Sequence, residues 1–585
     1  MVPMTRMLIS FALFFLLIPF SCKKEGATTS PSFKRTSNTA IIRMEGEADR
    51  LNPFLVTTNY GRMVVENMYM YLLTYDPVSL ELQPDLAKSR PKVEDISSGP
   101  NAGGAAYTFE ILEEATWDNG TPVTANDYIF SLKALLNPLV QAAPVRAYLG
   151  GFAGVETFLS NPKKFRVVLD EKNYLGEETV GGLFAVLPEY LFDPKGLLRD
   201  IPLADLLDPE KAEMLAEKDT RLQQFAEAFN SGPFSRDPKL VRGSGPYELL
   251  LWESDQRIVL GKKNNWWGNK IPRLAAGPDS LIFKPIPNPA TALAALQNEE
   301  IDAMSGILPE DFLRLEQDSA FNQVFRLSTV NTLAYYYIGV NARNPLLAEK
   351  AVRQALACVI DADEIIREVF QGFGERIVAP VPPSVSYYPK NLKPIAVNFE
   401  KAKQLLAGAG WKDSNNNGVV DKIINGKRME LSITYLLNAS SETSRNIALL
   451  IQDNARKAGI EVKLDAKEPS VLLEKLRERD FQLVSAGRTL TPLWNPLQNW
   501  HTQGDNRFGF GDADSDALID EILQTMEESP RNKKIGKLLE RIYDEQVEIF
   551  LFAPKDRLAI HRRFDAVTTP FTPGFVPSQF KIKGK

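Results

Sequence analysis

Asp413, Asn415, Asn417 and Asp421 stand at positions one, three, five and nine of the run "DSNNNGVVD", with Gly418 at the sixth. Oxygen-bearing side chains at alternate positions around a glycine are the spacing of a calcium loop. The twelfth position, where a bidentate Glu would complete the shell, is Ile424. A plain Asn-Gly turn explains the same residues, so no metal is favoured here. Nucleophilic catalysis fares no better. A Ser-His-Asp site needs His501 or His561, the two histidines of the chain, and no G-x-S-x-G elbow is present. Ser89 and Ser160 each begin an S-x-x-K, but Pro91 and Pro162 interrupt both and the partner motifs are missing. Neither an H-E-x-x-H nor a phosphate-binding loop occurs. No catalytic residue is assigned, and no cofactor is expected.

The bulk composition narrows the remaining classes. The chain has 585 residues, enough for two to four domains, with 44% hydrophobic and 24% charged residues, as in an ordinary folded protein. A net charge of -6 argues against nucleic acid as a partner. The chain opens with Arg6 followed by "LISFALFFLLIPF", then Ser21 and Cys22. So short an apolar run fits a signal peptide over 1–21 rather than a membrane-spanning helix. Cys22, directly after a small residue, resembles a bacterial lipoprotein cleavage site, although Phe20 is bulkier than the usual residue there. Plain secretion with a free Cys is the alternative. Residues 22–37 read as a flexible polar tether. Cys358, in step with Val352, Ala355 and Leu356, reads as a buried structural thiol.

Local signals then divide the rest. In "WDNGTPVTANDYIFSLKAL", Asn119-Gly120 marks a two-residue hairpin turn, and Thr124 with Asp127 forms a capping box. Tyr128, Leu132 and Leu135 share one face of the helix that follows. "MVVENMYMYLLTYDP" reads as a helix ending before Pro77. Two strands flank "ESDQ" in the 245–268 region, and "DSLIFKPIPNPATALAALQNEEIDAM" reads as strand, helix, strand. Asp361 is an expected N-cap, with Gly372 as the C-cap. "MELSITYLLNAS", "RNIALLIQDNARKA" and "GIEVKLDAKE" make a strand–helix–strand unit, which implies a mixed α/β fold.

Taken in order, "LNPFL", "LLTYDP", "WDNGTPVTANDYIFSL", "GSGPYELLLW", "EEIDAM", "YYYIGVNARNPLLAEKAVRQALACVIDADEII" and "AKQLLAGAGW" resemble the family 5 solute-binding proteins of ABC importers. The resemblance implies a three-lobed α/β fold of the type II periplasmic-binding-protein kind, with mixed sheets and a hinge between two main lobes. Lobe I would comprise 38–66, 233–310 and 546–585, lobe II 67–232, and lobe III 311–545. It also implies a monomer, held to the cell envelope by lipid at Cys22. Such a protein would capture a peptide or peptide-like solute and pass it to a permease and its ATPase. A receptor without a transporter, acting in sensing or chaperone-like binding, is the nearest rival; a secreted hydrolase is a distant one. By resemblance Asn59 and Tyr60 line the cleft. Thr489 and Thr491 stand where an acidic anchor for a peptide amine is expected, after Arg488, which either pairs with a ligand anion or is a solvated loop residue. Trp494 and Trp500 either stack on ligand or pack in the core. Of Tyr335, Tyr336 and Tyr337, alternating on a strand, one or two can face the cleft.

Overall fold

The stretch "EIFLFAPKDRLAIH" forms one strand, Glu548–His561, through the middle of the main sheet. It is buried over Glu548–Ala553 and again over Leu558–Ile560, as a strand covered on both faces must be. In the computed structural model, which describes residues 38–439 and 441–583, this strand is common to two groups of strands. The expected signal peptide, the tether and Cys22 lie outside the described residues.

On one side follow Ala303–Met304, Thr39–Met44, Ser280–Pro285, Arg257–Lys262 and Tyr247–Glu253. On the other follow Ala334–Val340, Leu483–Thr489, Ser432–Asn438 and Glu461–Lys467. The spanning strand's first half pairs with Ala334–Val340 and its second half with Phe325–Asn331, so the neighbour changes near Pro554. Parallel and antiparallel pairs are mixed. The expected strand–helix–strand unit is present: Ser432–Asn438 and Glu461–Lys467 run parallel, joined by the helix Glu442–Lys457.

Between the strands Thr39–Met44 and Tyr247–Glu253 the chain builds a four-stranded antiparallel sheet, in the order Lys92–Asp95, Ala105–Glu110, Asn161–Leu169, Phe152–Phe158. The helix Ala125–Leu136 packs there, with Tyr128, Leu132 and Leu135 all buried. Its capping box forms as expected; the Thr124 N–H donates to Asp127 Oδ2 at 2.8 Å. The hairpin before it differs from expectation. Only Gly120 has a positive φ, at 82°, and the Gly120 N–H reaches the Trp117 carbonyl while the Trp117 N–H reaches Thr121. Three residues therefore make the turn, with Gly120 as a bulge. The tip also fastens the hairpin in place. Asp118 accepts from Lys263 Nζ and Arg242 Nε, both at 2.7 Å, and so ties this hairpin to the strand group beyond residue 240.

Two other expectations are corrected. The helix expected over 63–76 is the short Asn59–Val65, followed by the strand Leu73–Tyr75. Asn67 Nδ2 caps the Met63 carbonyl at 2.7 Å and stops the helix before the aromatic, strand-favouring run can continue it. The helix Ala362–Glu368 starts on Asp361 as expected but stops at Val369; Gly372, at φ 86°, belongs to the turn beyond. Cys358 is buried at 2% exposure inside the helix Lys350–Val359, and that burial pushes its thiol pKa up.

Candidate ligand cleft

The loop after Leu51 is held by one carboxylate. Asp49 accepts from the hydroxyls of Thr57 and Thr58 at 2.8 and 2.7 Å and from their N–H groups. Burial works against its charge, but those hydrogen bonds outweigh it and keep Asp49 below the usual carboxylate range. Thr58 caps the helix Asn59–Val65 through the Gly61 N–H. Asn59 is thereby exposed at the mouth of a cleft of about 550 Å³. Tyr60 is half-buried, its ring lying against Gly46, where a Cβ would come within 2.6 Å of it.

The cleft continues along that helix. Arg62 and Glu66, one turn apart, both open onto it. Across from them stand Tyr71, Asp85 and Arg273, with Trp266, Phe571 and Phe575 as apolar wall. Glu66 is exposed to the cleft, whose walls desolvate it; that desolvation lifts its carboxyl to about 7 against the pull of Arg62. Burial lifts Asp85 to about 7 as well, although it accepts from the Tyr71 N–H at 2.9 Å and lies near Arg273. Such a lining, more polar than apolar, with charged groups beside aromatic rings, suits a small polar organic solute.

Arg488 lies in the strand Leu483–Thr489 rather than in a loop, and its fork is already engaged. Nη2 donates to Glu548 Oε1 at 2.7 Å and to the Tyr337 hydroxyl at 3.2 Å, and Nη1 to the Tyr335 hydroxyl at 2.8 Å. Burial disfavours the guanidinium, but Glu548 and the two phenols overcome that and keep it firmly charged. Burial raises Glu548, 1% exposed, and Arg488 opposes the rise. The solvated-loop alternative is thus excluded by the geometry, and an anionic partner is present within the protein. Tyr335 and Tyr337 are buried on that network; Tyr336 faces the other way, 37% exposed and stacked on Phe552.

Thr489 is exposed at the strand end, paired with Ala334, and Thr491 is exposed in the next turn, its hydroxyl donating to the Leu493 carbonyl. Trp494 and Trp500 are buried in a core that includes Tyr335 and Phe508, so packing takes both rings. The Trp494 carbonyl accepts from the Tyr174 hydroxyl, a contact between residues far apart in the chain. Tyr174 also donates its N–H to the Leu523 carbonyl at 2.9 Å, and Arg531 lies 4.5 Å over its ring. No local signal in the sequence announces this clamp, because only the fold brings 174 to 494. Thus Asn59 and Tyr60 stand on one strand group's side, and Arg488, Thr489, Thr491 and Trp494 on the other's.

The Asp413 run is a turn leading into the hairpin Asp421–Ile424 and Lys427–Glu430. Asp413 accepts from the N–H groups of Asn417 and Gly418, and Asp421 from Ser414 and from Arg428 Nη2 at 2.9 Å. Asn417 Nδ2 donates to Glu430 at 2.7 Å. The oxygens that a calcium ion would need are turned to protein donors, one of them a cation.

Residues 81–509 match the family model described as "Bacterial extracellular solute-binding proteins, family 5 Middle". The chain belongs to this family. It is 26% identical over 535 residues to the oligopeptide-binding protein AppA of Bacillus subtilis, covering 89% of this chain and 87% of that one. With the nickel-binding periplasmic protein of Escherichia coli it shares 25% identity over 512 residues, 85% of each chain. Its fold matches NikA from Brucella suis in complex with Fe(III)-EDTA at a TM-score of 0.72 and 20% identity, covering 93% of this chain and 100% of that chain. Solute binding rather than catalysis is therefore its activity, and the expected α/β periplasmic-binding-protein fold is the one observed.

Proposed function

We propose that this protein captures a peptide or peptide-like solute and delivers it to an ABC-type permease, from an envelope position fixed by lipid at Cys22. The observation that carries the reading is the family match over 81–509, together with likeness to an oligopeptide-binding protein along most of both chains. Lobes I and III, divided as the sequence suggests, would close about the spanning strand and the adjoining 331–334 segment. Domain closure of this kind draws its free energy from burying the ligand rather than from breaking bonds. Asn59 and Tyr60 would line one wall, Thr489 and Thr491 the other, with Arg488 and Trp494 behind. Threonines in place of a carboxylate give a peptide amine no charged partner. The cargo is then a peptide whose amine is blocked or unimportant, or a peptide-like compound.

Thermal-shift titration with di- and tetrapeptides, free and N-acetylated, tests this. Acetylated forms should bind within about threefold of the free ones, because a charge-assisted contact is worth more than that. Peptide binding that collapses on acetylation would overturn the assignment, as would hydrolysis of the peptide. Loss of membrane association on Cys22→Ser tests the anchor.

A further inference from the structure

The 550 Å³ cleft beside the helix Asn59–Val65 has a property that the proposed interlobe site does not need: none of its wall comes from residues 311–545. A ligand held there would not depend on the two strand groups swinging together. Of its charged groups, Arg273 is engaged, donating from Nη1 to the Asp85 carbonyl at 3.2 Å and from Nη2 to the Ala87 carbonyl at 3.4 Å, whereas Arg62 and Glu66 are not. The side chains of Arg62 and Glu66, though one turn apart on the same helix, form no hydrogen bond or ion pair among the described residues. Asp85 Oδ2 accepts from the Tyr71 N–H at 2.9 Å, and no bond to Oδ1 is formed among the described residues. Tyr71, whose N–H Asp85 holds, lines the same cleft as Arg62, Glu66 and Asp85. Tyr69, also in the wall and 2% exposed, carries a hydroxyl without a hydrogen-bond partner among the described residues. Buried polar groups are ordinarily paired, and a group left unpaired beside a cavity marks a place for a ligand atom or water.

We propose that this cleft is a second solute site, which takes an amino-acid-sized zwitterion whether or not the halves close. The amine lies between the carboxylates of Glu66 and Asp85, the ligand carboxylate meets Arg62, and the apolar body rests on Trp266 and Phe571. Two cationic and two anionic side chains face one space, so an ion of single sign would leave half of them uncompensated. Asn59, at the mouth, is shared with the interlobe site, which makes the cleft a waiting position next to it.

An equimolar mixture of the twenty amino acids, screened against the purified protein by ligand-observed NMR, tests the assignment. At least one amino acid is expected to be retained. Its N-acetyl and methyl-ester forms should each bind at least tenfold more weakly. Glu66→Gln and Arg62→Met, which disturb no internal bond, should do the same while the protein still unfolds in one cooperative thermal transition, raised rather than lowered at neutral pH for Glu66→Gln. The radius of gyration from X-ray scattering should not change at saturation. Retention of no amino acid, or binding indifferent to both substitutions, would overturn the assignment. So would compaction on binding, because it would place the ligand between the halves. The interlobe reading is read out separately, by peptides and their acetyl forms, so either can fail alone.

Discussion

At Arg488 a guanidinium has its counter-ion on another strand. The pair with Glu548 is desolvated, and such a pair is costly to break from one side only. Arg488→Met should cost about 3–5 kcal/mol, read as a lowered urea midpoint, whereas Arg488→Met with Glu548→Leu should restore most of it. Equal loss in the single and double variants would show that the network is not coupled. The cleft carboxylates make a different prediction. Glu66 and Asp85 are both raised to about 7, so between the ordinary carboxylate range and pH 7 the folded state holds protons that the unfolded state has released. Stability should therefore fall as pH rises from about 4.5 to 7 and level off above, and Glu66→Gln with Asp85→Asn should flatten that slope. Denaturant melts at pH 5 and pH 7.5 check it. Asp361 and Thr124 are legible as caps because a cap is a local arrangement among four residues. Glu548 is not, since nothing near Arg488 in the chain announces a partner sixty positions away.

Among elements, the hairpin at Asn119-Gly120 is legible in the sequence, and its turn class is not. Both turns want glycine, and the choice between them follows from where the flanking strands lead. The tip residue Asp118 carries no signal of its own, although Lys263 and Arg242 make it the fastening of one sheet to another. Asp118→Ala leaves a Lys263 side chain only 8% exposed without its counter-ion, holding only the Gly243 carbonyl, and should cost about 2–3 kcal/mol. Thr124→Ala, losing only one cap, should cost about 1 kcal/mol in the same unfolding assay. The reverse ranking would mean that the hairpin acts as a free turn. The length of the helix Asn59–Val65 is not legible because Met, Val and Tyr serve a helix or a strand alike, and Asn67 decides by turning its amide back on the last carbonyls.

For the whole molecule, the order of motifs carries the fold class, and the sheet order is beyond its reach. A twelve-stranded sheet assembled from distant segments leaves only a weak periodic trace in any one of them. The contact of Tyr174 with the Trp494 carbonyl and the Leu523 carbonyl joins the segment that carries the four-stranded sheet to the region from 494 to 523. If the proposed lobes swing apart, this contact must break, so it favours the arrangement described here. Tyr174→Leu should then enlarge the radius of gyration of the unliganded protein in solution scattering; an unchanged profile would mean that the clamp is passive.

The spanning strand Glu548–His561 is the seam of the main sheet, and in the chain it follows every other strand of that sheet. Until it leaves the ribosome, the strands on either side have no common neighbour in the sheet. A stop codon shortly before residue 548 would remove no mere tail: it would yield two unjoined pieces of one sheet.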